Sequence, residues 1–268
     1  MDKMETLEIE MGQGFAVVRL NRPPVNAVNR TMMLELRSSF DALSQRRDIG
    51  AVVLSSALEK IFCAGIDMKD VSTGAVATGG GDENVDIRQV IDSHWEWRQA
   101  QHAVHECTVP VIAAIERAAI GAGFGLIGVC DLVIAGEAAT LGLTEIKVGV
   151  LGGASKALRL FGSSKARRML FLGEMLTAQE AFRLGGVEEV VPAGKAEARA
   201  VAIAKELSNK SPLALRLAKE SILRIERDEV MERYRTENDY TNRLRTFNDS
   251  KEAIQAFVEK RTPKWTWS

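Results

Sequence analysis

Glu145 is the one carboxylate in Gly142-Leu143-Thr144-Glu145, among otherwise apolar and small residues. Such surroundings disfavour the charged form of an acid and raise its pKa toward the range where it can take a proton and give it back. The same glutamate would also suit a purely structural part, capping a turn. Upstream lies Gly121-Ala122-Gly123-Phe124-Gly125. Small residues packed this tightly let a backbone turn sharply and come close to a ligand. A glycine turn that opens a helix leaves backbone N–H groups without partners. Those groups can hold an anion, or an oxygen that becomes anionic during a reaction. Read alone, the glycines equally suit close packing of a helix on a strand. They are accompanied, however, by a second glycine-containing turn, Phe62-Cys63-Ala64-Gly65-Ile66-Asp67-Met68-Lys69-Asp70, which follows the strand-like Ala51–Ser55.

The elements that must position these residues can be read in outline. Val109–Ile115 is an apolar run that reads as a buried strand leading to the glycine run. Leu126–Cys130 is apolar without alternation and reads as a short buried helix, and Asp131–Ala135 as another strand. Leu7–Met11 and Phe15–Leu20 flank Gly12-Gln13-Gly14 as a hairpin. Asn21–Asn26, with Pro23 and Pro24, is a rigid turn. Thr31–Arg46 follows as a helix, with Thr31 or Asn29 as its N-cap. Met32, Met33, Leu36, Phe40 and Leu43 recur along it at helical spacing and belong to the core. Ser72–Asn84 is glycine-rich with little apolar content and reads as a mobile loop. Val85–Cys107 reads as a long helix, with Trp95 and Trp97 as packing residues or pocket walls. Ser163–Gly173 and Thr177–Leu184 are further helices, the second opened by the capping box Thr177-Ala178-Gln179-Glu180. Val187–Val191 is a short extended segment stopped by Pro192. From Ala196 to Val258 the pattern is helical, broken at Ser211-Pro212 and Thr246–Ser250. That tail has little sheet to pack on and must cover its apolar face against its own core or a neighbouring subunit. We divide the chain accordingly into a core, residues 1–195, and a helical region, residues 196–268.

Composition narrows the function classes. The 268 residues are 46% hydrophobic and 26% charged, an ordinary globular balance, and the formal net charge is −1. Nothing pulls the chain as a whole toward nucleic acid or an anionic membrane. No apolar run is long enough to span a bilayer, and no secretory signal is visible, so the cytoplasm is the expected compartment. Cys63, Cys107 and Cys130 are an odd, sparse set without metal spacing, which suggests reduced thiols. Cys63 lies in the first glycine turn and is either a reactive thiol or a small packing residue. His94, His102 and His105 share one helical stretch at spacings of eight and three, and no recognised zinc pattern is completed around them. No metal is expected. Asp67 and Lys69 suit either chemistry or a stabilised turn.

These motifs together resemble the crotonase superfamily, the enoyl-CoA hydratases and isomerases. The resemblance rests on the Phe62–Asp70 turn, the block from Ile120 to Glu145, Gly149-Val150-Leu151-Gly152-Gly153, and the tail from Asn248 to Pro263. It runs from about Leu7 to Pro263. It implies an α/β fold: a crotonase-type ββα spiral core with a C-terminal helical trimerisation region. It implies an acyl-CoA thioester as substrate, with coenzyme A entering as part of the substrate and no separate cofactor, and a homotrimer or hexamer as the assembly. By the same match the backbone N–H groups of Ile66 and Ala122 form the oxyanion hole, Ala64, Ile66, Met68, Ala122 and Gly123 lie along the substrate and CoA path, and Glu145 is the catalytic acid and base. Lys260, Arg261 and Lys264 are either a contact for CoA phosphates or a solvated terminus.

One departure bears on the reaction. Hydratases of this kind use two glutamates, and the first falls here at Gly125, which has no side chain. One carboxylate can still move a proton between two carbons, as in delta-3 to delta-2 enoyl-CoA isomerases, so isomerisation is the first expectation. Hydration, thioester hydrolysis or decarboxylation is the alternative, and a non-catalytic CoA- or RNA-binding paralogue is the reading from a different class. Glu116-Arg117 is a further departure, standing where many relatives have asparagine–glycine; a local ion pair or a subunit contact is the simplest account.

Overall fold

The computed structural model describes residues 4–68, Arg88 and residues 92–266, the side chains of 227–233 excepted. The expected loop Ser72–Asn84, Lys69, and all but Arg88 of residues 85–91 lie outside the described residues.

The hairpin pairs β1 (Leu7–Met11) antiparallel to β2 (Phe15–Leu20), with Leu7 opposite Leu20 and Met11 opposite Ala16. β2 continues parallel into β3 (Ala51–Ser56), then β5 (Val111–Ile115), β7 (Leu132–Gly136) and β10 (Glu189–Val191), a six-stranded sheet in the order β1-β2-β3-β5-β7-β10. Its central strands are buried on both faces, which is why they read as unbroken apolar runs. Alternate residues feed two cores. Val52, Leu54, Ala113, Ile115, Val133 and Ala135 face the larger one, shared with α1 (Arg30–Ser44) and α2 (Trp95–His105). Val53, Ile112, Ala114 and Ile134 face the smaller one.

The smaller core corrects the expectation that the helical tail finds little sheet. Ala196, Ala200 and Ala204 of α6 (Ala196–Ser208) form a stripe of small residues buried against that second face. Glu116 fastens the start of the helix: its carboxylate accepts the N–H groups of Gly194 at 2.8 Å and Ala196 at 2.5 Å. A carboxylate there satisfies orphan donors and opposes the positive end of the helix dipole. Glu116 is therefore a helix cap, not half of an ion pair with Arg117.

The second sheet was not foreseen. Its strands, β4 (Ile61–Cys63), β6 (Ala118–Ile120), β8 (Thr140–Gly142) and β9 (Met175–Thr177), have three residues each, too few to show a period. β4, β6 and β8 run parallel. Their C-terminal ends lead directly into Ala64–Met68, into Gly121, and toward Glu145. Open α/β sheets bind ligands beyond the carboxyl ends of parallel strands.

Helical boundaries shift in three places. The glycine run is mostly helix: α3 spans Ala122–Ile127, and of the run's three glycines only Gly121, φ +55°, takes a turn conformation. α2 starts at Trp95, after a turn at residues 93–94, so it is shorter than expected. α4 spans Ala154–Leu172 and begins before its break at Gly162, whose backbone is extended away from helical geometry. α5 (Ala178–Arg183) has the foreseen cap, with Thr177 Oγ1 accepting from Glu180 N at 3.1 Å. The tail continues as α7 (Pro212–Arg245), capped by Ser211, and α8 (Asn248–Val258). Among the described residues no helix is long and apolar enough to cross a membrane.

Candidate active site

The turn after β4 is held from both sides. Val28 N donates to Gly65 O at 2.8 Å and Asp67 N donates to Val28 O at 2.9 Å, a single parallel bridge that leaves the Ile66 N–H outside it. Asn26 ties the early proline turn to the same place: its Nδ2 donates to Phe62 O and to Ser56 Oγ, both at 2.9 Å. Arg22 pairs with Asp67 at 2.9 Å, so Asp67 stabilises the turn. Cys63 is fully buried, its Sγ donates to Asn26 O at 3.0 Å, and burial pushes its thiol up to about 12, so it packs and does not react.

The second turn meets the first. Gly121 N donates to Gly142 O at 3.0 Å, which orients the start of α3. A Cβ on Gly65 (φ +108°) would lie 3.4 Å from Ile120 O and 3.8 Å from Ala122 N. Ala122 is the first residue of α3, where an N–H has no helical acceptor. Among the described residues neither the Ile66 nor the Ala122 nitrogen donates to another protein group. Two free amides on adjoining turns can converge on one oxygen.

Glu145 opens a 3-10 turn, Glu145–Val148, beyond β8. A Cβ built on Gly121 would come within 3.3 Å of its Oε1, and one on Gly152 within 3.4 Å. Its Oε2 is buried and has no partner among the described residues. Burial pushes the carboxyl up to about 7, opposed by its own backbone amide and that of Thr144 and reinforced by the charge of Glu237. A carboxyl in that range can both accept and donate a proton near neutral pH.

One mainly apolar cleft of about 200 Å³ is lined by Ala64, Ile66, Met68, Ala122 and Glu145 together. Gly123 departs from the expectation. It lies against Cys63, where a Cβ would reach 2.6 Å from the carbonyl oxygen, so it supports the turn from behind. Trp97 is a cleft wall, and Gly125 faces it: a Cβ at Gly125 would sit 3.7 Å from Trp97 and from Gln101 Oε1. His94 is buried in the same wall and held down to about 4 by burial and by Arg245, so it is neutral.

Sequence reasoning missed the polar end of the cleft. Lys156 is 1% exposed, and its Nζ has no hydrogen-bond partner among the described residues and lies 2.9 Å from the centre of the Tyr234 ring. Burial lowers it to about 7, with Glu237 opposing and Arg98 adding to the shift. Gln101 Nε2 donates to Tyr234 Oη at 3.2 Å. The only sequence signal was a lysine inside Gly152-Gly153-Ala154-Ser155-Lys156-Ala157, at the start of a helix whose break at Gly162 blurs its period. Among the described residues no three His, Cys, Asp or Glu side chains converge as metal ligands. Arg261 is taken up by Glu252, at 2.5 and 2.8 Å, and by Glu259 at 2.5 Å.

Comparison with known proteins agrees with this architecture. Residues 10–267 match the family described as enoyl-CoA hydratase/isomerase. A probable mitochondrial enoyl-CoA hydratase of Dictyostelium discoideum is 32% identical, over 93% of this chain and 86% of its own. A (7aS)-7a-methyl-1,5-dioxo-2,3,5,6,7,7a-hexahydro-1H-indene-carboxyl-CoA hydrolase of Mycobacterium tuberculosis is also 32% identical, over 92% of this chain and 96% of its own. The crystal structure of carnitinyl-CoA hydratase from Mycobacterium avium superposes with a TM-score of 0.84 at 29% identity, covering 98% of this chain and 99% of that one. The adjoining glycine turns, the glutamate between them and the match along nearly the whole chain place this protein in the enoyl-CoA hydratase/isomerase family, within the crotonase superfamily.

Proposed function

We propose that this acyl-CoA enzyme isomerises 3-enoyl thioesters to 2-enoyl thioesters with Glu145 as its only proton carrier. Coenzyme A enters as part of the substrate. The thioester oxygen accepts from the N–H groups of Ile66 and Ala122. Glu145 takes a proton from C2, the charge spreads onto the thioester oxygen as a dienolate, and Glu145 returns the proton to C4. The double bond moves from C3–C4 to C2–C3 with no net gain or loss of atoms. Two amides aimed at the developing oxyanion supply stabilisation that bulk water cannot, each worth about 3–4 kcal/mol of barrier. The observation that carries the reading is that Glu145, its Oε2 buried without a partner among the described residues, shares one cleft with Gly125, which has no side chain. Ala64 and Met68 line the thioester path.

A second reading, water addition or thioester hydrolysis, is favoured by the hydratase and hydrolase names of the relatives at 32% identity. It needs a water activated without a second carboxylate among the described residues that line the cleft. Incubation with 3-enoyl-CoA and, separately, 2-enoyl-CoA, with products resolved by chromatography, separates the two. Isomerisation lost in Glu145→Gln supports the first; a 3-hydroxyacyl product from the 2-enoyl thioester, without isomerisation, replaces it with the second. The assembly is a homotrimer or a pair of trimers. Leu213, Leu217 and Ile225 of α7, 74%, 63% and 79% exposed, support a buried interface there. Sedimentation of the purified chain tests it.

A further inference from the structure

The cleft holds more cation than the reaction above uses. Among the described residues Lys156 Nζ, fully buried, has no acceptor, and Arg245 Nε, in the same cleft, is also buried and unpaired. Arg98 stands nearby on α2, bonded to Asp92 and Asn238. Among the described residues the acid on α7 that faces Lys156, Glu237, is already committed: its two oxygens accept the N–H groups of Ala154 and Ser155 at the start of α4. Tyr234 presents only its ring. Leaving a buried amine unpaired is costly, and a lysine with no structural acceptor is more simply replaced by an apolar side chain of the same volume. An apolar acyl tail would leave both cations unmatched.

Lys156 is also set apart from Glu145 along the cleft. Glu145 abuts Gly121 at the start of α3, while the Lys156 stem abuts Gly128 just past its end, where a Cβ would meet Lys156 Cβ at 2.5 Å. Along a helix axis that separation is about 10 Å. The root of the Lys156 side chain is thus set along α3 from Glu145, and its Nζ sits over Tyr234 in the same cleft, so an acyl chain held at the Ile66 and Ala122 amides that follows α3 would reach it.

We propose that the acyl group of the substrate carries a carboxylate at its distal end, paired with the Lys156 ammonium and drawn in by Arg245. This rests on the acyl-CoA reading of the cleft and adds the substrate class. The pair forms only with lysine protonated, so bound carboxylate favours the ammonium over the neutral amine; Glu237 works in the same direction, and burial and Arg98 against it.

The test needs no turnover. Affinities of the wild-type protein for saturated acyl-CoA thioesters are measured by calorimetry in two series of matched chain length, one ending in methyl and one in carboxylate. A hydrogen bond to a charged group predicts that the carboxylate series binds about ten- to a hundredfold tighter at its best length. Lys156→Met should bring that ratio toward one, while Lys156→Arg retains a preference. Equal affinity of the two series in the wild type overturns the proposal, as does a preference that survives in Lys156→Met. Tight binding of the methyl series alone refutes the carboxylate while leaving the acyl-CoA reading intact. Binding of neither series refutes both.

Discussion

Replacing Glu145 by glutamine should move activity and stability in opposite directions. The amide is isosteric, and Oε2, which has no partner, imposes no lost hydrogen bond. The proton carrier disappears, however, and positioned acid–base groups contribute about a hundred- to ten-thousandfold, or about 3–5 kcal/mol of barrier. Stability follows from the pKa. Glu145 titrates at 4.5 when exposed and about 7 in the fold, because burial disfavours its charge. The folded state therefore holds the proton more tightly than the unfolded chain. Its contribution is fully present below pH 4.5, declines as the pH rises, and is lost above about 7. A shift of that size corresponds to about 3 kcal/mol of stability removed across the window. Glutamine has no such loss. Glu145→Gln should therefore gain on the wild type by up to about 3 kcal/mol between pH 4.5 and pH 8, while its turnover nearly vanishes. Urea unfolding of both proteins at pH 5 and pH 8, with turnover measured beside it, reads both effects. A gap that does not widen with pH, or a variant that keeps its activity, would refute the reasoning.

Three other consequences are open to measurement. Gly121→Ala places a Cβ at φ +55° and 3.3 Å from Glu145 Oε1, so it should cost about 1–2 kcal/mol of stability and lower kcat by displacing the carboxylate; thermal melts with steady-state kinetics check both, and unchanged kcat would show that the turn does not set the position of Glu145. Glu116→Ala strips the cap from α6 and should lower stability by about 1–2 kcal/mol with kcat and KM retained, since the cap is on the far face of the sheet; equilibrium unfolding decides it. The pH profile of kcat/KM should rise through about pH 7 as Glu145 ionises to its basic form, and this limb should be absent from Glu145→Gln.

Much of the site was legible in the sequence because its parts are local. The two glycine turns and Glu145 are short motifs, and the central strands of the large sheet are continuous apolar runs, as strands buried on both faces must be. What stayed hidden depends on distant pairing. Strands of three residues, such as β4 and β8, carry no periodicity, so the second sheet that delivers both turns was invisible. The alanine stripe of α6 reads as good helix former, and only the register of the sheet shows that it is also a packing surface. Glu116 and its two N–H donors are far apart in the chain, so its part as a cap could not be read. Lys156 was passed over for a similar reason: a lone lysine reads as solvated until the fold closes Tyr234 over it.

The most direct test of the central claim follows oxygen. The wild-type enzyme is incubated with a 3-enoyl-CoA and with a 2-enoyl-CoA in water enriched in oxygen-18, and the products are weighed by mass spectrometry. Proton transfer by Glu145 alone predicts interconversion of the two thioesters with no heavy oxygen incorporated. A product carrying oxygen-18, as a 3-hydroxyacyl thioester or a free acid, with no shift of the double bond, would contradict it.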